Sequence, residues 1–176
     1  VTLAAVHETA REAGLRFTVD LSARGSATIG GMVATNAGGT RVLRFGSMRR
    51  HVLGVEAVLA DGRVLHDLRG LRKDNTGYDL PGLFCGSEGT LALVTAVRLQ
   101  LATRPRSAAV AVIGFDRIAD ALATMRALER MLPGLEAAEI VLCDLARLVR
   151  RTFDLAAPFA ADAAVDAFER HFADTA

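Results

Sequence analysis

Two glycine-rich segments hold the residues of this chain that could do chemistry. The first covers residues 27–40 and contains four glycines among small polar and apolar side chains. The second, Gly86-Ser87-Glu88-Gly89-Thr90, lies directly before an apolar run. Glycine adopts positive φ and allows a ligand to approach the backbone closely. Exposed backbone N–H groups at such turns suit an anion, above all a phosphate.

Either segment by itself would also fit a tight surface turn. The sequence has neither the Gly-Lys-Ser/Thr ending of a phosphate loop nor a Gly-x-Gly-x-x-Gly pattern. However, both segments are flanked by small polar residues, and both are joined to a strand-like run. Their occurrence together favours one ligand shared by the two turns.

The remaining ionisable residues form no pattern typical of catalysis, and no catalytic residue is assigned. Ser87 lacks the Gly-x-Ser-x-Gly motif, and Glu88 is interpreted as structural or close to a ligand. Asp74 and Asp79 lack a metal-ligand spacing, so no metal site is predicted. Tyr78, the single tyrosine, would either line a ligand pocket or anchor a packed loop. Solvent-facing or capping roles are expected for the four histidines, His7, His51, His66 and His171.

The composition is that of a globular protein, with 51% hydrophobic and 23% charged residues. A net charge of +1 gives no argument for a nucleic-acid or anionic-membrane partner, and no apolar run reaches transmembrane length. Cys85 and Cys143 share no metal or disulfide spacing and are expected to be buried, which predicts a reducing, cytoplasmic environment. A local basic cluster is interpreted as a solvated rim rather than a docking patch; its members are Arg41, Arg44, Arg49, Arg50 and His51.

The elements that must position the two segments can be predicted in outline. Apolar spacing with Thr2 as a cap and Gly14 as a stop predicts a helix over residues 2–13. A valine-rich run over 52–60, then Asp61-Gly62 with positive φ at both turn positions, predicts a β-hairpin. Further expectations are an ordered loop over 69–82 and a strand over 91–99.

The composition of the sequence changes after Arg104-Pro105-Arg106, where alanine-rich helical patterns replace glycine-rich turns. Strands are predicted over 108–115 and, more weakly, over 136–142. Between them, Asp116 would cap a helix that ends at Pro133-Gly134. The apolar face of that helix would be ordinary core, formed by Ile118, Leu122, Met125, Leu128 and Leu132. A helix over 144–150 and a short helix near the end complete an α+β chain.

The order of the turns through residues 27–101 resembles a known family, the FAD-binding domain of the vanillyl-alcohol-oxidase type, also called PCMH-type. Within it, the chain is most similar to the D-lactate, glycolate and D-2-hydroxyglutarate dehydrogenase branch. The motifs that carry this resemblance are Gly30-Gly31, Asn36-Ala37-Gly38-Gly39, Phe45-Gly46-Ser47, Asp61-Gly62, Gly77-Tyr78-Asp79 and Gly86-Ser87-Glu88-Gly89-Thr90. Ala92 stands where the family often has glycine, which should only stiffen the strand.

The resemblance implies FAD as cofactor. Residues 26–31 would face the pyrophosphate and ribityl chain, with backbone N–H groups and the Thr28 hydroxyl as donors. Residues 35–38 would pass close to the isoalloxazine, residues 86–90 would approach from the other strand layer, and Val94 would bind toward the adenine end. The implied FAD-binding residues are Ser26, Ala27, Thr28, Gly30, Gly31, Thr35, Asn36, Ala37, Gly38, Gly86, Ser87, Glu88, Gly89, Thr90 and Val94.

The resemblance also implies a domain organisation and an activity. Residues 1–104 would be an N-terminally incomplete FAD-binding domain, and 105–176 the beginning of a ferredoxin-like, substrate-binding cap. The intact protein would oxidise a 2-hydroxy acid by hydride transfer to the flavin and pass electrons to an acceptor the sequence does not identify. Two alternatives stay open: a truncated, non-catalytic FAD-binding or partner domain, and a relative that oxidises a sugar or aromatic alcohol.

Overall fold

Helix α1, Leu3–Glu12, is the first element of the computed structural model, which describes residues 1–142 and residue 152. The Thr2 hydroxyl oxygen accepts a hydrogen bond from the Ala5 backbone N–H at 3.3 Å, which caps the helix. Gly14 follows the last turn with φ +71°, a conformation that favours glycine. The predicted helix is confirmed, and Leu3 and Ala10 are its buried residues.

A three-stranded antiparallel sheet follows in the order β3-β2-β4. Its strands are β2 (Val52–Leu59), β3 (Val64–Asp67) and β4 (Ala92–Leu99). The predicted hairpin and the strand predicted over 91–99 are both confirmed. Val55 and Ala57, two residues apart on β2, are fully buried, because alternate side chains of a strand point to the same face.

The hairpin turn differs from its prediction in one respect. Gly62 has φ +84°, whereas Asp61 does not adopt a positive φ. Instead, an Asp61 carboxylate oxygen accepts a hydrogen bond from the Arg63 backbone N–H at 3.1 Å. The Gly62 N–H donates to the Leu59 carbonyl at 2.9 Å, so the loop has three residues with glycine in the left-handed position.

Short elements connect α1 to the sheet and link its strands. Strand β1 (Leu15–Arg16) pairs with β5 (Ala102–Thr103) in a separate antiparallel ladder. Helices α2 (Ile29–Ala34) and α3 (Val42–Phe45) and a 3₁₀ turn (Met48–Arg50) precede β2.

Helix α4 (Leu80–Phe84) was not predicted and overlaps the end of the expected loop. It forms because the Asp79 carboxylate accepts a hydrogen bond from the Gly82 N–H at 2.9 Å, and because Pro81 suits a first helical turn.

The core forms two clusters of buried side chains. The larger joins α1, α2, the segment between them and the start of β2, and contains Leu3, Phe17, Val19, Ile29, Met32, Val33, Met48, Val52 and Cys85. The smaller lies between the sheet and α4, and contains Val55, Ala57, Phe84 and Ala92. The burial predicted for Cys85 is confirmed, while Cys143 lies outside the described residues.

The chain divides into two units, residues 1–108 with 134–137, and residues 109–133 with 138–176. The second contains α5 (Ile118–Met131), which begins with Arg117 rather than Asp116 at the N-cap. None of its residues is buried, so the expectation of an ordinary helix core is wrong within the described residues. The strands predicted over 108–115 and 136–142 are not formed there, because neither segment finds a described strand to pair with.

Some predictions are not addressed by this fold. The helix expected over 144–150, the short helix near the chain end and His171 lie outside the described residues. The division at residue 104 into an FAD-binding domain and a cap stays a prediction. Among the helices of the described ranges, none is both long enough and apolar enough to cross a membrane.

Candidate functional site

The two glycine-rich segments meet through backbone hydrogen bonds. The Gly86 N–H donates to the Val33 carbonyl at 2.9 Å, and the Glu88 N–H donates to the Ala34 carbonyl at 2.9 Å. Val33 and Ala34 are the last two residues of α2, so the second segment lies on the C-terminal end of this helix. Residues 41–85 separate the segments in sequence, yet the two segments form one continuous surface of turns.

Helix α2 has only six residues, and two threonines hold it. The Thr28 hydroxyl oxygen accepts from the Gly31 N–H at 3.2 Å, and the Thr35 hydroxyl donates to the Gly31 carbonyl at 3.0 Å. Thr28 is therefore the helix N-cap, and its hydroxyl hydrogen stays available to donate to a ligand. A Cβ at residue 31 would lie only 3.0 Å from the Thr28 hydroxyl oxygen, which favours glycine there.

Each segment contains one residue in an unusual backbone conformation. Asn36 has φ +48° and Glu88 has φ +52°, and within residues 1–142 they are the only non-glycine residues with positive φ. Such conformations are uncommon and cluster at ligand-binding and catalytic sites. The Asn36 side-chain oxygen accepts from the Arg49 backbone N–H at 2.9 Å, which helps to hold Asn36 in this conformation.

Several backbone donors in the two segments have no partner within the described residues. These are the N–H groups of Gly30, Gly38, Gly39 and Gly89. Gly89 has φ +75°, and no atom lies within 4 Å of the place a Cβ would occupy. Free N–H groups suit the oxygens of a bound phosphate, and the open space beside Gly89 suits a flat ring that must approach the backbone.

Strand β4 lies close to helix α2 at the site. A Cβ at Gly30 would lie 3.2 Å from the Val94 carbonyl oxygen on β4, so a side chain there would push the helix from the sheet. Val94 pairs with Ala57 in the ladder between β4 and β2. Ser26 donates from its hydroxyl to the Ala23 carbonyl at 3.3 Å, and precedes the capping threonine.

The predicted site residues thus fall into one neighbourhood, although their roles toward a cofactor stay predictions. Ala27, whose carbonyl accepts from the Leu3 N–H at 2.8 Å, fixes the entry to α2 against α1. Ala37 fixes the exit, since its carbonyl accepts from the Met48 N–H at 2.8 Å. Thr90 closes the second turn through its hydroxyl, which donates to the Ser87 carbonyl at 2.6 Å.

Arg49 connects both segments and was missed by sequence reasoning. Besides the backbone bond to Asn36, its guanidinium group donates to the carbonyl oxygens of Gly82 and Cys85, directly before the second segment. Arg49 is exposed, as the interpretation of a solvated rim predicts, but its guanidinium group also makes specific hydrogen bonds that this interpretation did not include. No local pattern could reveal the role, because the carbonyls lie 33 and 36 residues further along the chain.

His51 also departs from its prediction. It is 6% exposed and packs edge-on to Phe17, with ring centroids 5.7 Å apart. The Thr18 hydroxyl lies 3.3 Å from its Nε2. Burial lowers the pKa of His51, so the interior holds it neutral. Burial likewise raises the pKa of the Cys85 thiol to about 11, which leaves this cysteine protonated and unsuited to act as a nucleophile.

Arg41 and Arg44 lie beside the Glu136 carboxylate while their side chains stay 30% and 41% exposed. Arg16 donates to both Glu136 carboxylate oxygens at 3.0 and 2.5 Å. Arg41 and Arg44 lie 3.6 and 3.7 Å from the same carboxylate. The hydrogen bonds from Arg16 are the main reason that the pKa of Glu136 is lowered.

Three other residues considered in the sequence analysis are Tyr78, His66 and His7. Tyr78 is 95% exposed, so the interpretation as an anchor of a packed loop is wrong. His66 lies on the outer edge of the sheet, where its Nδ1 is 2.8 Å from a Glu56 carboxylate oxygen. His7 faces inward instead of solvent, with Nε2 3.0 Å from the Val19 carbonyl.

Comparison with known proteins finds both a matching family and similar sequences. Residues 1–67 match the model of a family described as FAD binding domain. The chain is 49% identical over 157 residues to the D-2-hydroxyglutarate dehydrogenase of Bos taurus, which covers 89% of this chain and 29% of that protein. It is 56% identical over 108 residues to the Rattus norvegicus enzyme of the same name, covering 61% and 20%. The chain spans less than a third of the length of these curated relatives.

The names of these relatives correct one prediction. Both are named as mitochondrial proteins, so the expectation of a cytoplasmic location is wrong. That expectation came from the spacing of the two cysteines in the sequence, which indicates a reducing compartment but does not distinguish one reducing compartment from another.

The solved structures support the α+β fold. An alkyldihydroxyacetonephosphate synthase in a P1 crystal form matches with a TM-score of 0.59 and 17% identity, over 74% of this chain and 25% of that one. At this identity the likeness shows the fold alone, an FAD-binding domain of PCMH type with mixed helix and sheet. Residues 1–67 therefore match the FAD binding domain family, and the chain is similar over 89% of its length to a D-2-hydroxyglutarate dehydrogenase.

Proposed function

We propose that the two glycine-rich segments form one FAD cradle, and that the protein oxidises a 2-hydroxy acid. One observation carries the proposal: the Gly86 and Glu88 N–H groups bond to the end of α2, which makes the two segments a single surface. Residues 1–67 of this chain, which match the FAD binding domain family, contain the first segment, and the second segment lies directly against it. A shared surface is what one extended cofactor needs.

The chain's own groups suit the two ends of such a cofactor. The unpaired N–H groups of Gly30, Gly38 and Gly39 would donate to phosphate oxygens, as would the hydroxyl of Thr28. The open space beside Gly89 would admit a ring close to the backbone. The flavin supplies the acceptor for the substrate's hydride, while the protein supplies binding and orientation.

The substrate class is inferred from the relatives, which are named D-2-hydroxyglutarate dehydrogenases. Such acids lose a proton and a hydride during oxidation, and a base must accept the proton. Neither His51, buried beside Phe17, nor the protonated Cys85 thiol suits that role among the described residues. The proposal therefore assigns this chain the binding and orientation of the cofactor, and leaves the base unassigned.

A matched pair of glycine variants tests the cradle. Gly89 and Gly62 both have positive φ, and neither has an atom within 4 Å of a Cβ position. Gly89→Leu and Gly62→Leu should thus suffer similar backbone strain, but only the first intrudes on the cradle. After incubation with FAD and removal of free cofactor, the wild type and Gly62→Leu should retain the visible flavin bands, and Gly89→Leu should lose them.

Anaerobic addition of D-2-hydroxyglutarate, D-lactate or glycolate then tests the chemistry. Bleaching of the flavin band by one of these acids would support oxidation of a 2-hydroxy acid and identify the preferred substrate. Retained FAD with no bleaching by any of them would contradict the proposed oxidation for this chain. The result would instead support a non-catalytic FAD-binding domain.

A further inference from the structure

We propose that Arg49 is a positioning residue that joins the two halves of the cradle and thereby sets its affinity for FAD. The part of this inference that concerns FAD rests on the proposed function. The part that concerns the joining of the segments rests on the contacts of Arg49 alone, and both parts can be tested separately.

The contacts of Arg49 reach both segments from one residue. Its backbone N–H donates to the Asn36 side-chain oxygen at 2.9 Å, within the first segment. Its guanidinium donates through two different nitrogens to the carbonyls of Gly82 and Cys85, which precede the second segment. A guanidinium has several donors in a planar fork, so it can hold two carbonyl oxygens at once.

The guanidinium bond to the Cys85 carbonyl lies next to the turn that begins at Gly86. Gly86 follows Cys85 directly and has φ +83°, and a Cβ on it would lie 3.6 Å from an Arg49 guanidinium nitrogen and 3.4 Å from the Asn36 Cβ. The link from Asn36 through Arg49 to Cys85 therefore runs beside the direct bond from Gly86 to Val33. Both links fix the distance between the segments.

The bond from the Arg49 backbone to Asn36 and the bonds from its guanidinium group lie in series along this link. Loss of the Asn36 side-chain oxygen breaks it at one end, and loss of the guanidinium breaks it at the other. Once either end is lost, losing the other should change little more. If the two ends contributed independently, their losses of FAD affinity would instead multiply in the double variant. A double-variant cycle therefore distinguishes a serial link from two independent contacts.

Charge is a separate effect, which a conservative substitution isolates. Arg49→Lys retains the positive charge but not the planar pair of donors. If Arg49 acts by position, Arg49→Lys should resemble Arg49→Ala. Arg50→Ala is the matched control, because Arg50 is its neighbour, is exposed and has no side-chain hydrogen bond within residues 1–142.

Amide hydrogen exchange tests the joining without any cofactor. In Arg49→Ala and Arg49→Lys, the Gly86 and Glu88 amides should exchange about tenfold faster than in the wild type, as expected for the loss of one or two hydrogen bonds. The Leu59 amide, which bonds within the hairpin, should not change, and Arg50→Ala should match the wild type. Unchanged exchange at Gly86 and Glu88 in Arg49→Ala would overturn the proposal, as would wild-type exchange in Arg49→Lys.

A titration with FAD, followed by flavin fluorescence, tests the effect on affinity. Arg49→Ala should bind FAD about tenfold more weakly than Arg50→Ala. The double variant Asn36→Gly/Arg49→Ala should bind no more weakly than the weaker single variant. Losses that multiply in the double variant would overturn the serial link. A wild type that binds no FAD would refute the proposed function, while the exchange experiment would still decide whether Arg49 joins the segments.

Discussion

The Asn36 side-chain oxygen lies 2.9 Å from the Arg49 backbone nitrogen, and this hydrogen bond holds a non-glycine residue at φ +48°. Asparagine tolerates this conformation better than most residues do, but it is still uncommon. The bond joins the end of the first glycine-rich segment to the 3₁₀ turn before β2. The conformation of Asn36 and the position of Arg49 therefore depend on each other.

Substitutions of Asn36 separate these two contributions to stability. Asn36→Gly keeps the backbone conformation and loses the hydrogen bond, so it should lower the free energy of unfolding by about 1 kcal/mol. Asn36→Ala also loses the hydrogen bond, and alanine tolerates positive φ less well than asparagine or glycine, which should add about 1 kcal/mol more. Urea unfolding of the three proteins measures both steps. Equal midpoints for the glycine and alanine variants would contradict the assigned backbone strain.

The cap of α2 gives a second prediction. Thr28→Ala removes the oxygen that accepts from the Gly31 N–H and should lower the free energy of unfolding by about 1 kcal/mol. Thr28→Ser keeps the hydroxyl and should retain most of the stability. Thermal unfolding followed by circular dichroism compares them. If serine destabilises the chain as much as alanine does, the cap is not the source of the effect.

Sequence reasoning succeeded where the signals are local. Thr2 caps α1 only three residues from its bond partner, and Gly62 closes the hairpin between neighbouring strands. It failed where distant residues decide the outcome. His51 is buried because Phe17, far earlier in the chain, packs against its ring, and Arg49 bonds to carbonyls 33 and 36 residues away. Nothing in the basic run around these two residues distinguishes them from solvated charges.

The burial of His51 predicts a pH dependence. Its pKa is lowered by burial, so the unfolded chain binds a proton that the folded chain excludes. The resulting stability is present above the unfolded pKa of about 6.5 and is lost as pH falls toward the lower folded value. His51→Gln should lose less stability than the wild type between about pH 7 and pH 5, measured by urea unfolding at each pH.

His7 and His66 are present in both the wild type and His51→Gln. The difference in pH-dependent stability between these two proteins therefore isolates His51. Parallel stability curves for the wild type and His51→Gln over this range would contradict a neutral, buried histidine.

Glu136 gives a second prediction of pH-dependent stability, at lower pH than His51. The pKa of its carboxyl is lowered mainly by hydrogen bonds from Arg16, so its stabilisation is present above the unfolded pKa of about 4.3. It is lost as pH falls through the folded value. Glu136→Gln should therefore be less stable than the wild type at neutral pH, and the gap should close in acid. A gap that stays constant down to about pH 3 would show that the carboxylate charge is not responsible.

The central claim is that both glycine-rich segments contact one FAD, and the amides of Gly38 and Gly89 test it most directly. Neither has a hydrogen-bond partner within the described residues, so both should exchange quickly in the free chain. Added FAD should slow exchange at both positions together, while the Gly62 amide of the hairpin should not change. Retained FAD that protects only one of the two segments, or neither, would contradict a shared cradle.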